Sequence, residues 1–346
     1  MLFQRFKYLS IAIIPFATYS SITTSGWWTW THFAYLLILL PVVEIVLGTF
    51  KYNLNEEQQD QANDDIWYDM ILYLLLPLQY FFLFYFLINI TNQENSMVSL
   101  IGKMTGMGLM SGVLAINVAH ELGHRKKKYE KLFAKILLLS TLYMHFFIEH
   151  NKGHHKNVAT NQDPATARYG ENLYSFWIRS LIFSYLSAWK IENKRMKTNG
   201  QNVLSLNNEM LQFQLIQALF IALVYFFFGP IGAIGLLGSS LFGILLLETV
   251  NYIQHYGLQR TTKKDGTYER VGLHHSWNSG YPLGRVLLFE LARHSDHHFL
   301  ATKKYQVLNH IDESPQMPTG YTGMITMALF PPLWFLVMNP LVRRLN

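Results

Sequence analysis

Residues 98–124, VSLIGKMTGMGLMSGVLAINVAHELGH, join an apolar stretch to a pair of histidines, His120 and His124. A helix that crosses a lipid bilayer needs about 20 mostly apolar residues, and residues 98–119 meet that requirement. The two histidines are four positions apart, so a continuing helix places both imidazoles on one face. The stretch therefore predicts a membrane helix that presents two potential metal ligands at its end.

The composition of the whole chain is that of a membrane protein. Of 346 residues, 50% are hydrophobic and 14% are charged, whereas a soluble domain carries about 25% charged residues. There is no cysteine, which excludes disulfides, thiolate metal ligands, iron–sulfur clusters and a cysteine nucleophile. The net charge of +6 suits contact with anionic lipid headgroups. The basic residues are dispersed, so nucleic-acid binding is not expected.

Six apolar stretches are long enough to cross a bilayer. They predict an all-α integral-membrane fold in a single domain, residues 1–346, with six transmembrane helices. The first stretch is expected to be a retained helix and not a cleaved signal peptide, because it is long and further spans follow it. Gly229-Pro230 predicts a tight turn between the last two spans. The predicted spans are residues 7–24, 29–50, 67–90, 98–119, 211–229 and 231–250.

The polar segments 120–210 and 251–346 are predicted to form a helical cap on the cytoplasmic side, where both termini also lie. Lysine and arginine support this orientation, because positive charge collects in cytoplasmic loops. The predicted outer loops, about 25–28, 91–97 and 229–230, contain neither residue type.

Two further apolar stretches are expected to lie in the membrane interface and not to cross it. The first is 132–148, because a crossing there would put His120 and His150 on opposite sides of the bilayer. The second is 321–342, which Pro331-Pro332 interrupts.

Seven more histidines occur in three clusters beside apolar segments: EHNKGHH (149–155), NYIQHYG (251–257) and RHSDHH (293–298). Their helical spacings allow every ring to point into one volume below the inner membrane surface. Nine imidazoles match two metal ions with four or five nitrogen ligands each. The predicted metal ligands are His120, His124, His150, His154, His155, His255, His294, His297 and His298.

The residue types alone leave the metal open, because imidazole binds iron, zinc, copper and nickel. HELGH also matches the HExxH pattern of zinc proteases, in which Glu121 would be the general base. A catalytic zinc site uses three protein ligands, however, and leaves six of the nine histidines unexplained.

Metal-bound histidines usually donate their other N–H to a carboxylate or a carbonyl group. We expect Glu248, inside an apolar span, and Asp296, between two ligands, to support the centre in this way. Glu121, Glu149 and Asp163 are further candidates, although each could equally be a solvated charge at the membrane surface. His274 and His275 are equally compatible with supporting the site and with ordinary loop packing.

These residues resemble the integral-membrane alkane 1-monooxygenase family, within the histidine-rich di-iron group of fatty-acid desaturases and hydroxylases. The HYG element that contains His255 separates this branch from the desaturases. Ala292 and Ala301 stand where the family often has Gln and Pro, and Arg125 stands where Lys is common. The segments that carry the resemblance are HELGH, EHNKGHHKNVAT with NQDPATA, NYIQHYGL, LHHSWNS, RHSDHH with KKYQVL, and PTGYTGM.

The resemblance implies two non-haem iron ions in a bacterial inner membrane, with the active site on the cytoplasmic side. The implied reaction inserts one oxygen atom of O₂ into the terminal methyl group of a linear alkane, giving a primary alcohol and water. Its electrons would come from rubredoxin, fed by a rubredoxin reductase. Rubredoxins are acidic, so a basic surface is a plausible docking face. The basic residues concerned are Lys126, Lys127, Lys128, Lys303 and Lys304.

Two alternatives use related residues. One is a membrane desaturase, or a hydroxylase of another apolar substrate such as an aromatic methyl group. The other, less favoured, is an intramembrane zinc protease. The first differs from an alkane hydroxylase only in the pocket, so the motifs do not separate the two.

Overall fold

The computed structural model describes residues 2–345 and is helical, with no β-strand in that range. The predicted all-α class is therefore confirmed. Two short turns of helix, Leu2–Phe6 and Lys7–Ala12, precede α1. The remaining helices are α1 (Ile13–Thr23), α2 (Gly26–Leu47), α3 (Glu56–Asp64), α4 (Ile66–Asn92), α5 (Met97–Gly123), α6 (Lys128–Leu139), α7 (146–157), α8 (Leu173–Thr198), α9 (Glu209–His255), α10 (Pro282–Leu287), α11 (His294–Phe299), α12 (Tyr321–Ala328) and α13 (Pro331–Leu345).

Four of the described helices, α2, α4, α5 and α9, are long and apolar enough to cross a membrane. Their bounds lie within a few residues of five of the predicted spans, because α9 includes the last two. Gly229, in the middle of α9, has φ 67° and ψ −169°, a conformation that glycine adopts at little cost. Pro230 follows it and suits the first position of a new helix.

The two arms of α9 run in opposite directions. The backbone N–H of Met144 donates to Gln217 in the first arm at 3.0 Å, and the Tyr143 hydroxyl donates to Glu248 in the second arm at 2.9 Å. In one straight helix Gln217 and Glu248 would lie roughly 46 Å apart. They contact Met144 and Tyr143, however, which are adjacent in the chain. The chain therefore reverses at Gly229-Pro230, as the sequence predicts.

The centre of the bundle is formed where α5 packs against α9 with almost no side chain between them. A Cβ atom on Gly112 would lie 2.9 Å from the carbonyl oxygen of Gly243, and one on Gly243 would lie 3.0 Å from that of Gly108. Small residues allow such close backbone approach in membrane helices. The contact fixes α5 against the second arm of α9, and both of these helices end in histidines.

Residues 132–148 do not form the single interfacial helix that the sequence predicts. Helix α6 ends at Leu139, and the chain turns through residues 140–145 before α7 begins. The hydroxyl groups of Ser140 and Thr141 donate to the carbonyl groups three residues earlier, at 2.6 and 3.0 Å. Such bonds compete with helix continuation, and Leu142 follows at φ 53°. The turn returns the chain so that His150 lies beside His120.

The apolar tail is interrupted where the sequence predicts a break. Helix α12 ends at Ala328, and α13 starts at Pro331. The residue before a proline is disfavoured in the helical conformation, so the paired prolines explain the break. Neither piece alone has the length of a membrane span.

The close contact between α5 and α9 makes a prediction about stability. In a Gly112→Ala protein, the new methyl group meets a backbone carbonyl that cannot move aside, so the change should lower stability by about 1–3 kcal/mol. Gly238→Ala is the matched control, because a Cβ there meets only the flexible end of Met104. Thermal unfolding in detergent should show a clear loss for the first variant and little change for the second. Equal Tm values for both variants would contradict this packing.

Candidate metal centre

Nine histidines converge in one buried region, where they form two adjacent groups. Within each group every ring offers one nitrogen atom, and all of these atoms lie within 4.8 Å of one another. The first group, which we call the five-histidine group, contains His120, His124, His150, His155 and His297. The second, the four-histidine group, contains His154, His255, His294 and His298. These are the nine residues that the sequence selects.

Four helices deliver these side chains. His120 lies in the last turn of α5 and His124 directly follows it. His255 is the last residue of α9, while α7 carries the 150–155 cluster and α11 begins at His294. Because α5 and the second arm of α9 are locked together by glycines, the ends of these two helices stay close.

The middle of α7 decides which histidine joins which group. Residues His150–His154 form a turn of π-helix, in which backbone hydrogen bonds join residues five apart. His150 and His155, five positions apart, therefore face the same group, and their Nε2 atoms lie 3.0 Å apart. His154 points to the other group. The i, i+4 spacing suggests instead that His150 and His154 share a face, so this assignment cannot be obtained from an ideal helix.

The distances between ring nitrogens fit a shared cation. Two nitrogens bound at right angles to one metal, with bonds of about 2.1 Å, lie about 3.0 Å apart. The Nε2 atoms of His294 and His298 are 3.0 Å apart, and those of His255 and His294 are 3.1 Å apart. The Nε2 atoms of His120, His124 and His154 are buried without a hydrogen-bond partner among the described residues. Unsatisfied buried nitrogens are costly, and a metal ion would satisfy them.

Burial keeps these rings in the form that binds metals. It lowers the pKa of His124 to about 3 and holds the pKa values of His150, His155 and His297 well below the ordinary value. In the four-histidine group, burial has the same effect on the pKa values of His294 and His298. Rings with such values are neutral at pH 7, and a neutral ring has a free lone pair.

Among the five candidate carboxylates, Asp163 is the one that is hydrogen-bonded to a ring of the two histidine groups. It accepts a hydrogen bond from Nδ1 of His154 at 2.9 Å, and it also accepts from the Thr166 hydroxyl at 2.6 Å. Burial alone would raise the pKa of Asp163, but the His154 ring and these hydrogen bonds outweigh it and leave the pKa below its usual value. Asp163 fixes the tautomer of His154 so that Nε2 faces the four-histidine group.

The two carboxylates that the sequence favours bond to other groups. Glu248 accepts from the hydroxyls of Tyr143 and Ser180, at 2.9 and 2.5 Å. Asp296 accepts from Lys303 and from the backbone N–H of Asn309, both at 2.6 Å. No hydrogen bond joins either carboxylate to an imidazole in residues 2–345, so any support they give is indirect. The physical reason is that both face neighbouring segments and not the rings.

Glu121 and Glu149 likewise form no hydrogen bond to an imidazole among the described residues. Glu121 pairs with Arg125 at 2.7 Å and accepts from the backbone N–H of Tyr305 at 3.3 Å. Glu149 is buried, and burial with its neighbours Asp163 and Glu248 raises its pKa well above the usual value. Neither carboxylate belongs to a histidine group.

His274 and His275 lie together in the loop that follows α9, where Glu269 joins them in a third, smaller group. The Nδ1 atom of His275 accepts from the backbone N–H of Gly272 at 2.8 Å, so its Nε2 carries the proton and donates to Glu269 at 3.2 Å. Both nitrogens of His275 are thus engaged, and His274 is exposed. The structure favours loop packing for this pair.

Trp277 and Asn278 hold the ligand segments in place, a role that sequence reasoning missed. The backbone N–H of Trp277 donates to Gln254 at 2.8 Å, and its indole N–H donates to the carbonyl group of Tyr256 at 2.9 Å. These bonds fix both neighbours of His255. Asn278 accepts from the backbone N–H of Ser295 at 2.9 Å, which fixes the start of α11. Both residues belong to the motif LHHSWNS, from which the sequence pattern indicated only the two histidines as candidates.

A buried ionic cluster anchors the chain just before α11. Phe289 and Glu290 both have positive φ, 50° and 56°, which is strained for residues with a side chain. Lys7 and Arg285 pair with Glu290 at 2.8 and 2.7 Å. Burial raises the pKa of Glu290, but these cations and Arg293 outweigh burial and hold it far below the usual range. The ion pairs thus hold the strained turn that leads to His294.

Two cavities lie near the segments that carry the histidines, although no histidine lines the first of them. An apolar cavity of about 40 Å³ is bounded by Asn117, Val250 and Leu291, which precede His120, His255 and His294 by three to five residues. On the other side, an open groove of about 850 Å³ reaches His124 and Asp296. Its rim mixes Lys126 and Lys127 with acidic residues.

Known proteins with similar sequences clarify what this arrangement is. A fatty acid desaturase family model matches residues 94–328. The chain is 36% identical to alkane 1-monooxygenase 2 of Alcanivorax borkumensis, over 98% of this chain and 90% of that protein. This chain belongs to the alkane 1-monooxygenase family. It is also 40% identical to an alkane 1-monooxygenase of Pseudomonas putida, over 88% and 75% of the two chains. The hydroxylase component of the xylene/toluene monooxygenase of Pseudomonas putida is 27% identical, over 97% and 89%.

The Asp163 contact yields a prediction about metal affinity in this alkane 1-monooxygenase family member. Asp163→Asn should weaken metal binding about 10–100-fold, as the loss of such an orienting carboxylate does elsewhere. Asp296→Asn is the matched control, because Asp296 lies between ligands but touches no ring. The fraction of metal that each of the two variants retains during dialysis against a chelator measures this affinity. Equal metal loss from the two variants would contradict the role of Asp163.

Proposed function

We propose that the chain is a membrane di-iron monooxygenase that inserts one oxygen atom of O₂ into the terminal methyl group of a linear alkane. The product is a primary alcohol, and the second oxygen atom leaves as water. The observation that carries the proposal is the pair of all-histidine groups, accompanied by an apolar cavity whose lining includes residues three to five positions before His120, His255 and His294. Family membership supports the reaction class.

Two non-haem iron ions are the proposed cofactors, one in each histidine group. Imidazole does not select iron by itself, so the choice of iron rests on the family. Bound iron would supply the oxidising power that attack on an unactivated C–H bond needs and that no side chain provides. Asp163 would hold His154, and Trp277 and Asn278 would hold the segments that carry His255 and His294.

The apolar cavity is the proposed site for the reacting end of the alkane. Val250 and Leu291 would pack against the hydrocarbon and exclude water. Asn117, which precedes His120 by three residues on α5, supplies a polar group to this cavity, and its Nδ2 is buried without a hydrogen-bond partner among the described residues. That amide can donate to an oxygen atom, so we assign it to binding the hydroxyl group of the product.

Six crossings of a bacterial inner membrane, with both termini and the cap in the cytoplasm, are the proposed arrangement. Support comes from the reversal of α9 and from the helical turns 2–23, which pack on α5 through Thr18 and Ser21. The loops proposed to lie outside carry no lysine or arginine, in agreement with the positive-inside rule.

Rubredoxin, reduced by its reductase, is the proposed electron donor. Insertion of one oxygen atom with reduction of the other to water consumes two electrons, and a chain without cysteine can hold neither an iron–sulfur cluster nor a redox-active disulfide that would store them. The open groove reaches His124 and would bring a soluble carrier close to the five-histidine group. Lys126, Lys127 and Lys128 are exposed and remain the proposed contacts. Lys303 and Lys304 are instead engaged with Asp296 and Asp69.

Hydroxylation of an aromatic methyl group is the second candidate function, since the relative from xylene/toluene metabolism covers nearly the whole chain. Desaturation uses related metal sites and stays an alternative. A zinc protease is disfavoured because the proposed general base, Glu121, is held by Arg125 and Tyr305 and belongs to neither histidine group.

Product analysis tests the proposed function. Iron-loaded protein with rubredoxin, its reductase and NADH should convert octane or hexadecane to the primary alcohol, and omission of rubredoxin should stop turnover. The same assay with xylene and with an acyl substrate distinguishes the alternatives. Benzylic alcohol from xylene without alcohol from either alkane would overturn the assignment in favour of the aromatic substrate. His145→Ala is a useful control beside His255→Ala, because His145 is buried nearby but belongs to neither group.

A further inference from the structure

Helix α8 has two very different faces. One face packs into the protein through buried residues such as Phe176, Ser180 and Ala188. Away from these residues, the helix carries a row of exposed side chains spaced four residues apart, in which each member lies next to the following one while the row winds gradually around the helix. The row begins with four apolar or aromatic residues and ends with two lysines. Its members are Tyr174, Ile178, Ile182, Leu186, Lys190 and Lys194.

The exposure of this row is large and continuous. Ile178 is 64% exposed, Ile182 51% and Leu186 52%. Contiguous apolar surface of this kind marks a contact with a partner or with a membrane. The two lysines at the end of the row are also exposed, and neither forms an ion pair with a carboxylate in residues 2–345.

The contacts of α8 show where on the bundle it lies. Near its start, the Trp177 indole N–H donates to Thr249 at 3.1 Å, close to the end of the second arm of α9. Near its end, Glu192 accepts from the backbone N–H of Glu209 at 2.7 Å, at the start of the first arm. Because the arms run in opposite directions, both contacts lie at the same end of the bundle. Helix α8 therefore runs across that end and not through the bundle.

A helix in that position with an exposed apolar row is suited to lie in the interface of a bilayer. Its lysines would then be at the level of the lipid phosphates, where basic residues are attracted to anionic headgroups. We propose that α8 lies in this interface, with Ile178, Ile182 and Leu186 among the acyl chains, and that Lys190 and Lys194 bind the phosphate groups of anionic phospholipids.

The lipid contact would act on the metal centre through direct packing. A Cβ on Gly153, between His150 and His154, would lie 3.1 Å from the side chain of Ile191. The ring of Tyr185, on α8, also packs against the ring of His145, which directly precedes α7, with ring centroids 5.2 Å apart. Helix α8 is thus the surface on which α7 rests, and anionic lipid should stabilise the histidine-bearing end of the protein. The proposal does not depend on the substrate.

The depth of the helix can be measured directly, because the chain has no cysteine. A spin label on Ile182→Cys should relax in the presence of oxygen and be shielded from a water-soluble nickel chelate. A label on Lys263→Cys, in an exposed loop, should respond to the chelate. Chelate access at position 182 equal to that at position 263 would overturn the interfacial placement.

Headgroup binding is tested with the full chain in nanodiscs of phosphatidylcholine, with and without phosphatidylglycerol. Phosphatidylglycerol should raise the Tm of the wild type, and the Lys190→Gln/Lys194→Gln protein should lose most of that rise. It should match the wild type in phosphatidylcholine alone. The control Lys263→Gln/Lys264→Gln removes the same charge from an exposed loop and should keep the full rise.

Two outcomes would overturn the headgroup assignment. One is an equal phosphatidylglycerol effect in the Lys190→Gln/Lys194→Gln protein and the wild type, which would mean that these lysines do not hold the lipid. The other is an equal rise on adding soluble glycerol phosphate to phosphatidylcholine nanodiscs, which would mean that the site takes free phosphate and not a lipid. Recovery of the effect in a Lys190→Arg/Lys194→Arg protein supports recognition by charge.

Discussion

The burial of nine neutral imidazoles in one volume is the constraint on which the rest of this structure depends. Each ring brings polar nitrogen atoms away from water, and several of them, on His120, His124 and His154, have no partner among the described residues. Leaving a buried polar group unpaired costs about 1–3 kcal/mol, so the empty arrangement would be unstable. A cation bound in each group would coordinate these nitrogen atoms and remove that cost. Metal binding would therefore be coupled to the folding of the region. The metals are therefore expected to hold together four helical segments that are far apart in sequence.

The helices outside the centre are arranged to bring those ends together and keep them there. Glycine contacts bring α5 and the second arm of α9 so close that His120 and His255 begin from fixed positions. The turn at 140–145 returns the chain so that His150 lies beside His120. Helix α8 packs against α7, which carries His150, His154 and His155. Before α11, a strained turn is held by the ion pairs of Glu290, while Asn278 fixes the first turn of the helix itself. Each of these contacts acts on the backbone next to a histidine and so helps to position the rings.

Much of this could be predicted from the sequence, because the signals are local. Apolar stretches of sufficient length predict the long helices, and Gly229-Pro230 predicts the reversal of α9. Histidines at helical spacing predict the nine residues of the two histidine groups. What was not predictable depends on small departures from ideal helices and on contacts between distant segments. A turn of π-helix, which no residue pattern predicts, places His150 and His154 in different histidine groups. Ser140 and Thr141 end α6 by hydrogen bonds that compete with the helix, inside a stretch that looks continuously apolar. Asp163 reaches His154 because residues 158–163 fold back. Glu248 and Asp296 lie closer to ligand residues in the sequence, but they accept hydrogen bonds from groups other than imidazoles.

The central claim is that two separate nitrogen-only groups bind an iron pair, and iron X-ray absorption combined with metal analysis tests it most directly. The account predicts two iron ions per chain, each with a first coordination sphere dominated by nitrogen and with the outer scattering typical of imidazole rings. It also predicts that a His298→Ala protein keeps the iron of the five-histidine group while losing iron from the other. A single zinc ion per chain, or iron surrounded mainly by oxygen, would contradict the account.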